Sequence, residues 1–214
     1  MEEHKLKARP YTDEDAKKTL QSVMSPETTD WHYNTHHKGY IVKRNEIEKK
    51  LEEKKNELQT NANANYSEYG ELKRRETFNA NGVILHDLFW ENLGGNGNIE
   101  DAPKTKNKLI SDFGSIEEWK ADIRATALSA KNSGWAVLAI DTMSESKLRN
   151  FLVDEHGIGA VWGAIPLIAL DVYEHAYYHK DGPKRAIYID NFISNINWKK
   201  IEEKYSKLQG LVIK

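Results

Sequence analysis

A carboxylate and an imidazole follow directly after the most apolar stretch of this 214-residue chain. Asp171 follows the segment AVWGAIPLIAL, and His175 comes four residues later within DVYEHAYYHK. Aspartate is rarely buried without a partner, so Asp171 at the end of an apolar segment requires a cation, hydrogen-bond donors or a metal. The chain has no cysteine, so a metal here would be held by His, Asp, Glu or water.

Three further histidines have spacings that suit such a site. His32 and His36 lie four residues apart in WHYNTHHKGY, and His86 lies within the apolar stripe VILHDLFW. An antiparallel helical hairpin can bring His32 opposite His86. His32 and His86, together with Asp171 and His175, would offer three imidazoles and one carboxylate, which suit iron, manganese or zinc. From spacing alone, a metal-free ion pair between Asp171 and His175 remains an open alternative.

The elements that would position these residues begin with a helical hairpin. Residues 25–59 are predicted to form one long helix, with Ser25 as N-cap and Pro26 at its first position. Its second half pairs Glu and Lys at helical spacing, which fits either a solvated arm or a helical oligomer contact. Residues 68–92 show helical periodicity again and stop at the GGNGN turn.

The second half of the chain changes character after Pro103. A helix is predicted from a capping box at Ser115 and Glu118. A small antiparallel sheet is predicted from three apolar runs that follow, SGWAVLAID, KLRNFLVDEH and AVWGAIPLIALDV. The C-terminal segment shows helical spacing again, and this helix is predicted to end at Gly210. We therefore predict an α+β fold with an N-terminal helical hairpin domain, residues 1–103, and a C-terminal α/β domain, residues 104–214, with the metal site between them.

Composition limits the classes of partner. The formal net charge is −2, which gives no electrostatic reason to expect nucleic acid or an anionic membrane. No apolar run reaches the roughly 18 residues that span a bilayer, and the first residues lack the apolar core of a signal peptide. We therefore expect a cytoplasmic protein.

Four segments together resemble the iron/manganese superoxide dismutase family. HYNTHHKGYI, HDLFW, NSGWAVL and DVYEHAYY match its signature stretches in order and approximate separation, and ARPY and FISNINW extend the likeness over nearly the whole chain. The resemblance implies that one iron or manganese ion per subunit is held by His32, His86, Asp171 and His175, with solvent in a fifth position. It also implies dismutation of superoxide through a one-electron metal, which zinc would not support.

The resemblance assigns further residues around the metal. Tyr40 matches the family's gateway tyrosine, and Trp90 and Trp135 match the aromatic walls of its metal pocket. Tyr173 stands where the family usually has tryptophan. The family places a glutamine near the bound solvent from one of two positions, which here hold Gly82 and His156.

The same resemblance predicts self-association and a path for the anion. Glu174 should face His175, and Tyr178 should face His36, across the two-fold axis of a dimer. The charged arm at residues 43–59 resembles archaeal members that pair dimers into tetramers. Arg185, with its neighbour Lys184, is predicted to attract superoxide toward the channel.

Metal preference and two alternative functions complete the expectations. His156 occupies the position that carries glutamine in manganese members, but its imidazole is a different donor, and we predict that iron is preferred and manganese tolerated. A mononuclear iron oxygenase is disfavoured by four protein ligands, because such oxygenases need open positions for substrate. A non-catalytic helical interaction protein with a structural metal is the other alternative.

Overall fold

A computed structural model describes residues 3–212 of the chain, with side chains through residue 209. Ten α-helices and three strands are described: α1 Asp13–Thr19, α2 Pro26–Trp31, α3 Lys38–Glu53, α4 Lys55–Thr60, α5 Glu68–Asn92, α6 Pro103–Phe113, α7 Ile116–Ser129, β1 Gly134–Asp141, β2 Lys147–Asp154, β3 Ala164–Asp171, α8 Glu174–Asp181, α9 Arg185–Ser194 and α10 Trp198–Val212. A helical N-terminal half and a sheet flanked by helices confirm the predicted α+β class.

The N-terminal half is an antiparallel hairpin in which α3 packs along α5. Ser25 caps α2 by accepting a hydrogen bond from the backbone N–H of Thr28, and Pro26 holds the first helical position as predicted. The prediction of one uninterrupted helix over residues 25–59 is wrong. A π-helical segment, His32–His37, separates α2 from α3, and Lys54 leaves helical geometry before α4 begins.

The π segment has a direct effect on the histidines it contains. Its hydrogen bonds join residues five apart, so one extra residue is accommodated in the turn. His32 and His37, which are five apart, are therefore both buried, whereas His36 is only partly buried. A regular α-helix would have turned His37 away from the face that carries His32.

The three strands form an antiparallel sheet in the order β2-β1-β3. Every residue of the central strand β1 is buried. The register sets Trp135 of β1 beside Asp171 of β3. Residues 160–163, predicted as part of the third strand, instead form a turn in which the Gly163 carbonyl accepts a hydrogen bond from the Thr142 N–H, so β3 begins at Ala164.

One hydrogen-bonded contact joins the hairpin to the sheet close to the end of α5. The buried side chain of Asn92 donates to the Leu167 carbonyl at 3.0 Å and accepts from the Ala169 N–H at 2.8 Å. Both groups of the amide are satisfied, so the contact fixes the position of α5 along β3. His86 lies on α5 and Asp171 ends β3, so this contact helps set their separation.

The remaining helices cover the sheet and complete the core. Ser115 begins α7 as predicted and accepts from the Glu118 N–H, but the Glu118 carboxylate accepts from the Ser115 hydroxyl rather than from its backbone N–H. Helix α10 continues past the predicted end at Gly210 to Val212. The buried apolar cluster contains residues from both halves of the chain, among them Phe89, Trp119 and Phe192. No helix within residues 3–212 is long and apolar enough to cross a membrane. The domain division at residues 103/104 stays a prediction.

Candidate metal centre

Four side chains from four elements meet where the hairpin packs against the sheet. His32 begins the π segment, His86 lies on α5, Asp171 ends β3 and His175 lies in the first turn of α8. One donor atom from each residue lies within 4.8 Å of all the others. The structure therefore brings together all four residues that the sequence marked as a ligand set.

The three imidazoles converge on one carboxylate oxygen. Asp171 Oδ2 lies 3.1 Å from His32 Nε2, 3.3 Å from His175 Nε2 and 3.7 Å from His86 Nε2. His32, His86 and Asp171 have no solvent exposure, and His175 is largely buried. The site is thus a compact N3O donor set with little access from bulk water.

The protonation states suit a cation. Burial lowers the pKa of His32 to about 4 and holds the pKa of His86 well below its usual range, so both rings are neutral near pH 7. Burial alone would favour the acid form of Asp171, but His175 and His32 outweigh it and hold the pKa of that carboxyl well below its usual range.

Buried atoms without partners show that the residues fit a metal. His32 Nε2 and His86 Nε2 are buried and make no hydrogen bond to any described residue. Leaving such atoms unsatisfied is costly, and two neutral imidazoles cannot both be satisfied by a single Asp171 to His175 ion pair. An iron or manganese ion among the four donors would satisfy these atoms, which disfavours the metal-free alternative.

Two contacts orient the donor atoms. His86 Nδ1 donates to the Gly82 carbonyl at 2.7 Å, which leaves the lone pair of Nε2 facing the cluster. Asp171 Oδ1 accepts from the Tyr173 N–H at 2.8 Å, which leaves Oδ2 facing the cluster. The backbone of α5 and of the turn before α8 therefore aims these two donors.

Aromatic rings enclose the cluster. Trp90 and Phe89 lie with ring centroids 5.0 Å and 4.8 Å from His32, and Trp135 lies 5.0 Å from His86. All three aromatic side chains are buried. The two tryptophans predicted as walls therefore lie buried beside the histidine donors, from which such rings exclude water.

Tyr40, His156 and Tyr173 pack together beside His86 and His175. The Tyr40 ring lies 4.6 Å from His156 and 5.1 Å from His86, and Tyr173 stacks on His156 at 5.0 Å and on His175 at 5.1 Å. Burial raises the pKa of Tyr40 and of Tyr173 well above the usual range, so both hydroxyls stay protonated near pH 7. His156 lies in the turn after β2 rather than at a strand end.

The absence of a side chain at Gly82 makes room for Tyr40. A Cβ atom at Gly82 would lie 2.9 Å from the Tyr40 ring. Any larger residue at this point of α5 would have to displace that ring, because real Cβ contacts are not this short. The family's glutamine comes from one of two positions, which here hold Gly82 and His156. Because Tyr40 fills the space beside Gly82, only the position of His156 can carry a polar side chain.

The residues predicted to face a partner subunit belong to the π segment and to α8. His36 stacks on His175 with ring centroids 4.1 Å apart. Glu174 is exposed, and Tyr178 is 51% exposed on the neighbouring turn of α8. Their predicted contacts across a two-fold axis stay a prediction.

Arg185 begins α9 and is tied to the loop before β1. Its guanidinium donates to the carbonyls of Ala130 at 2.7 Å and Lys131 at 2.9 Å, and to the Tyr177 hydroxyl at 3.2 Å. Lys184 is exposed beside it. Arg185 therefore has a structural role in addition to any effect of its charge on an approaching anion.

Sequence reasoning missed a charged contact behind His86. The buried His37 ring stacks on His86 at 5.4 Å, and His37 Nε2 lies 3.3 Å from Asp87 Oδ1. Lys7 Nζ contacts the other oxygen of Asp87 at 2.6 Å. The adjacent polar pairs His36–His37 and His86–Asp87 could have indicated this contact. Helical periodicity, however, predicts that only one of two neighbouring residues faces inward.

Comparison with known protein families agrees with this geometry over both halves of the chain. A family model described as iron/manganese superoxide dismutases, alpha-hairpin domain, matches residues 3–94. A second, described as iron/manganese superoxide dismutases, C-terminal domain, matches residues 101–204. The two matches cover the hairpin and the sheet that supply the four clustered residues.

Individual relatives match over most of their length. A manganese superoxide dismutase of Haloferax volcanii is 38% identical over 207 residues, which is 97% of this chain and 97% of the relative. An iron superoxide dismutase of Aquifex aeolicus is 41% identical over 184 residues, which is 86% of this chain and 85% of the relative. Relatives named for either metal are thus similar to this chain to nearly the same degree.

Proposed function

The chain belongs to the iron/manganese superoxide dismutase family, and on that basis we propose that it converts superoxide to dioxygen and hydrogen peroxide. His32, His86, Asp171 and His175 would hold one iron or manganese ion per subunit. The observation that carries this proposal is the convergence of three imidazole Nε2 atoms on Asp171 Oδ2 in a buried site.

The bound metal would supply a one-electron redox couple that one superoxide reduces and the next re-oxidises. Asp171, as a buried carboxylate, contributes negative charge that favours the oxidised cation. Gly82 and the Tyr173 N–H keep the His86 and Asp171 donors oriented, which reduces reorganisation at each turnover. Trp90 and Trp135 exclude water from the donors.

Peroxide formation requires protons, and two groups near the donors hold them. Tyr40 keeps its hydroxyl proton near pH 7 because burial raises its pKa. His156 accepts at Nδ1 from Trp135, so its proton lies on Nε2, which has no partner among the described residues. We propose that Tyr40 Oη and His156 Nε2 orient solvent and relay protons to the product.

We propose that iron is preferred, that manganese is tolerated and that His156 determines the difference. The relatives do not distinguish the metals, because both kinds are similarly close. The proposal is supported by the lack of space for a polar side chain at Gly82, where Tyr40 lies too close. His156 is therefore left as the hydrogen-bond donor to solvent. A single imidazole N–H differs from a glutamine amide in length and in donor capacity.

The proposed assembly is a dimer in which Glu174 and Tyr178 reach the partner subunit, with a tetramer built from two dimers. The exposed aromatic side chains Trp31 and Tyr178 on neighbouring helices α2 and α8 support an interface beside the site. Superoxide is the small-anion substrate, and a cytoplasmic location stays a prediction.

The direct test uses purified protein stripped of metal and then reconstituted separately with iron, manganese and zinc. Superoxide-dependent reduction of a reporter dye is measured at equal protein concentration. We expect the iron or manganese form to suppress dye reduction and the zinc form to behave like the apo protein. No suppression by any loaded form would refute the proposed function.

A further inference from the structure

Three charged or polar side chains form a set of contacts beside His86 but outside the four-residue cluster. Lys7 Nζ lies 2.6 Å from Asp87 Oδ2, and His37 Nε2 lies 3.3 Å from Asp87 Oδ1. The His37 ring in turn stacks on the His86 ring, with centroids 5.4 Å apart and an angle of 15° between the planes. We call Lys7, Asp87 and His37 the Asp87 network. It joins an ammonium group of the N-terminal segment to a residue of the candidate metal centre.

Burial makes the charge of Asp87 effective at His86. The side chain of Asp87 is 13% exposed and that of His37 only 1%, so little solvent is available to screen a charge there. Neither ring nitrogen of His37 makes an aligned hydrogen bond to a described residue, so its contact with Asp87 is chiefly electrostatic. Asp87 also follows His86 directly on α5. Its carboxylate is therefore held close to the ligand residue by sequence as well as by packing.

The N-terminal segment holds Lys7 against the hairpin. The His4 N–H donates to Asn45 Oδ1 of α3, and the His4 carbonyl accepts from Asn45 Nδ2, both at 2.9 Å. The Lys7 carbonyl accepts from the Tyr33 hydroxyl of the π segment at 2.5 Å. The Lys7 side chain is 67% exposed, yet these contacts keep its ammonium group at Asp87.

Two further charged residues balance the charge of this region. Glu91, one turn beyond Asp87 on α5, attracts Lys7, and Lys204 of α10 interacts electrostatically with Glu91, Lys7 and Asp87. Two cations and two anions therefore lie together, and their charges nearly cancel. Loss of either Lys7 or Asp87 would leave an unbalanced charge near His86, with a sign that depends on which residue is lost.

We infer that Lys7 and Asp87 are positioning residues that act through His37 and His86 to set the reduction potential of the bound iron or manganese ion. This inference rests on the proposed function, because it needs a redox metal among the four donors. A negative charge near a metal stabilises its oxidised state, and a positive charge stabilises its reduced state. Asp87 therefore lowers the potential, and Lys7 raises it by balancing part of the Asp87 charge.

The proposed reaction makes such a setting useful. The same ion has to accept an electron from one superoxide, which leaves as dioxygen, and give an electron to the next, which leaves with two protons as hydrogen peroxide. Its potential must therefore lie between the potentials of these two half-reactions. A charge pair beside a ligand residue can adjust that potential without changing any of the four donors.

The test measures the midpoint reduction potential of iron-loaded protein by mediated redox titration, followed by the electron paramagnetic resonance signal of the ferric ion. Lys7→Met removes the positive charge, Asp87→Asn removes the negative charge, and the double variant removes both. Lys7→Arg keeps the charge of Lys7. Lys5→Met is the matched control, because Lys5 is an exposed lysine of the same segment that lies outside the Asp87 network. Iron content and circular dichroism establish that each variant is folded and loaded.

We expect the potential to fall in Lys7→Met and to rise by a larger amount in Asp87→Asn, because Asp87 is less exposed and nearer to His86 than Lys7 is. The double variant should lie between the two single variants, and Lys7→Arg and Lys5→Met should match the wild type. Opposite shifts support the inference, because a loss of packing alone would not change sign with the charge removed. Unchanged potentials in both single variants, or shifts of the same sign, would overturn it.

Two further outcomes keep the result decisive. If Asp87→Asn does not load iron, Lys7→Met decides the question, because its largely exposed side chain can be replaced without disturbing the core; an unchanged or raised potential there would overturn the inference. A wild type whose bound iron shows no one-electron couple would overturn the proposed function and this inference together. An active wild type with a measurable couple and unshifted variants would overturn this inference alone.

Discussion

Trp135 Nε1 donates a hydrogen bond to His156 Nδ1 across 3.0 Å in the buried wall of the candidate metal centre. Since Nδ1 accepts, the proton of the neutral ring lies on Nε2, the atom without a described protein partner. Burial lowers the pKa of His156 to about 4, which keeps the ring neutral over the physiological range. Trp135 therefore makes His156 a hydrogen-bond donor of fixed orientation.

Replacement of that donor is expected to change metal preference. His156→Gln should keep a hydrogen-bond donor beside Tyr40 but alter the length and position of the side chain. We expect the iron-to-manganese activity ratio to fall about tenfold, because residues that support metal ligands commonly change metal affinity or activity by this much when replaced. Activity of protein reconstituted with each metal measures the ratio. An unchanged ratio would remove His156 from control of the metal.

Neutralising Arg185 is expected to slow the reaction mainly at low salt. For Arg185→Gln we expect kcat/KM to fall about two- to fivefold at low ionic strength, with the difference shrinking above 0.1 M salt because screening shortens the reach of the charge. Arg185→Lys is the control, because it keeps the charge but cannot form the guanidinium fork to Ala130 and Lys131. An equal loss in both variants with unchanged salt dependence would assign Arg185 a structural role only.

The dimer contact predicted beside the metal can be weakened at one exposed residue. Tyr178→Ser should raise the dissociation constant of the dimer by at least about tenfold, because an aromatic side chain at the centre of an interface commonly contributes more than 1 kcal/mol. Concentration-dependent sedimentation measures this, and Tyr66→Ser is the control, because Tyr66 is an exposed aromatic residue outside α8. A wild type that is a fully active monomer would contradict the proposed dimer.

A fourth prediction concerns the pH dependence of stability and Glu202 of α10. The Glu202 carboxylate accepts from the Thr105 hydroxyl and from the backbone N–H groups of Lys104 and Thr105 at the start of α6. Partial burial would raise its pKa, but these donors outweigh that effect and hold the pKa below its usual range. The ionised Glu202 carboxylate therefore stabilises the folded protein fully at pH values above the ordinary glutamate pKa. This stabilisation is lost as the pH falls through the lowered pKa of Glu202 in the folded protein.

Accordingly, Glu202→Gln should lower the free energy of unfolding by about 1–2 kcal/mol at pH 7, and the difference should shrink below about pH 4. Urea unfolding of apo protein at several pH values measures it. Glu203→Gln, an exposed neighbour, is expected to change stability by less than about 0.5 kcal/mol. A difference between Glu202→Gln and the wild type that is independent of pH would contradict the account.

Local chemistry in the sequence was sufficient for the main elements. Ser25, Pro26 and Ser115 mark helix starts that the structure contains, and the three apolar runs became β1, β2 and β3. The four clustered residues could be predicted because the segments that contain them match the family's signature stretches in sequence and in order along the chain. These features depend on residues close together in the chain.

Features that depend on long-range packing could not be predicted. In the π segment His32–His37, the rings of both His32 and His37 pack against His86 of α5, and no local pattern signals these long-range contacts. The fit of Tyr40 against Gly82 and the stacking of His36 on His175 likewise join residues far apart in sequence. Trp162 was taken as strand because its neighbours are apolar, whereas tertiary hydrogen bonds fold it into an exposed turn.

The central claim is tested most directly by measuring metal content and superoxide dismutation together in the wild type, His86→Ala and Asp171→Ala. His179→Ala is the matched control, because His179 lies on α8 outside the cluster and contacts Ser25. We expect one iron or manganese ion per subunit and activity in the wild type and control. Both ligand variants should be folded but lose metal occupancy and activity, because each removes one of four converging donors. Full occupancy and full activity in His86→Ala would contradict the assignment.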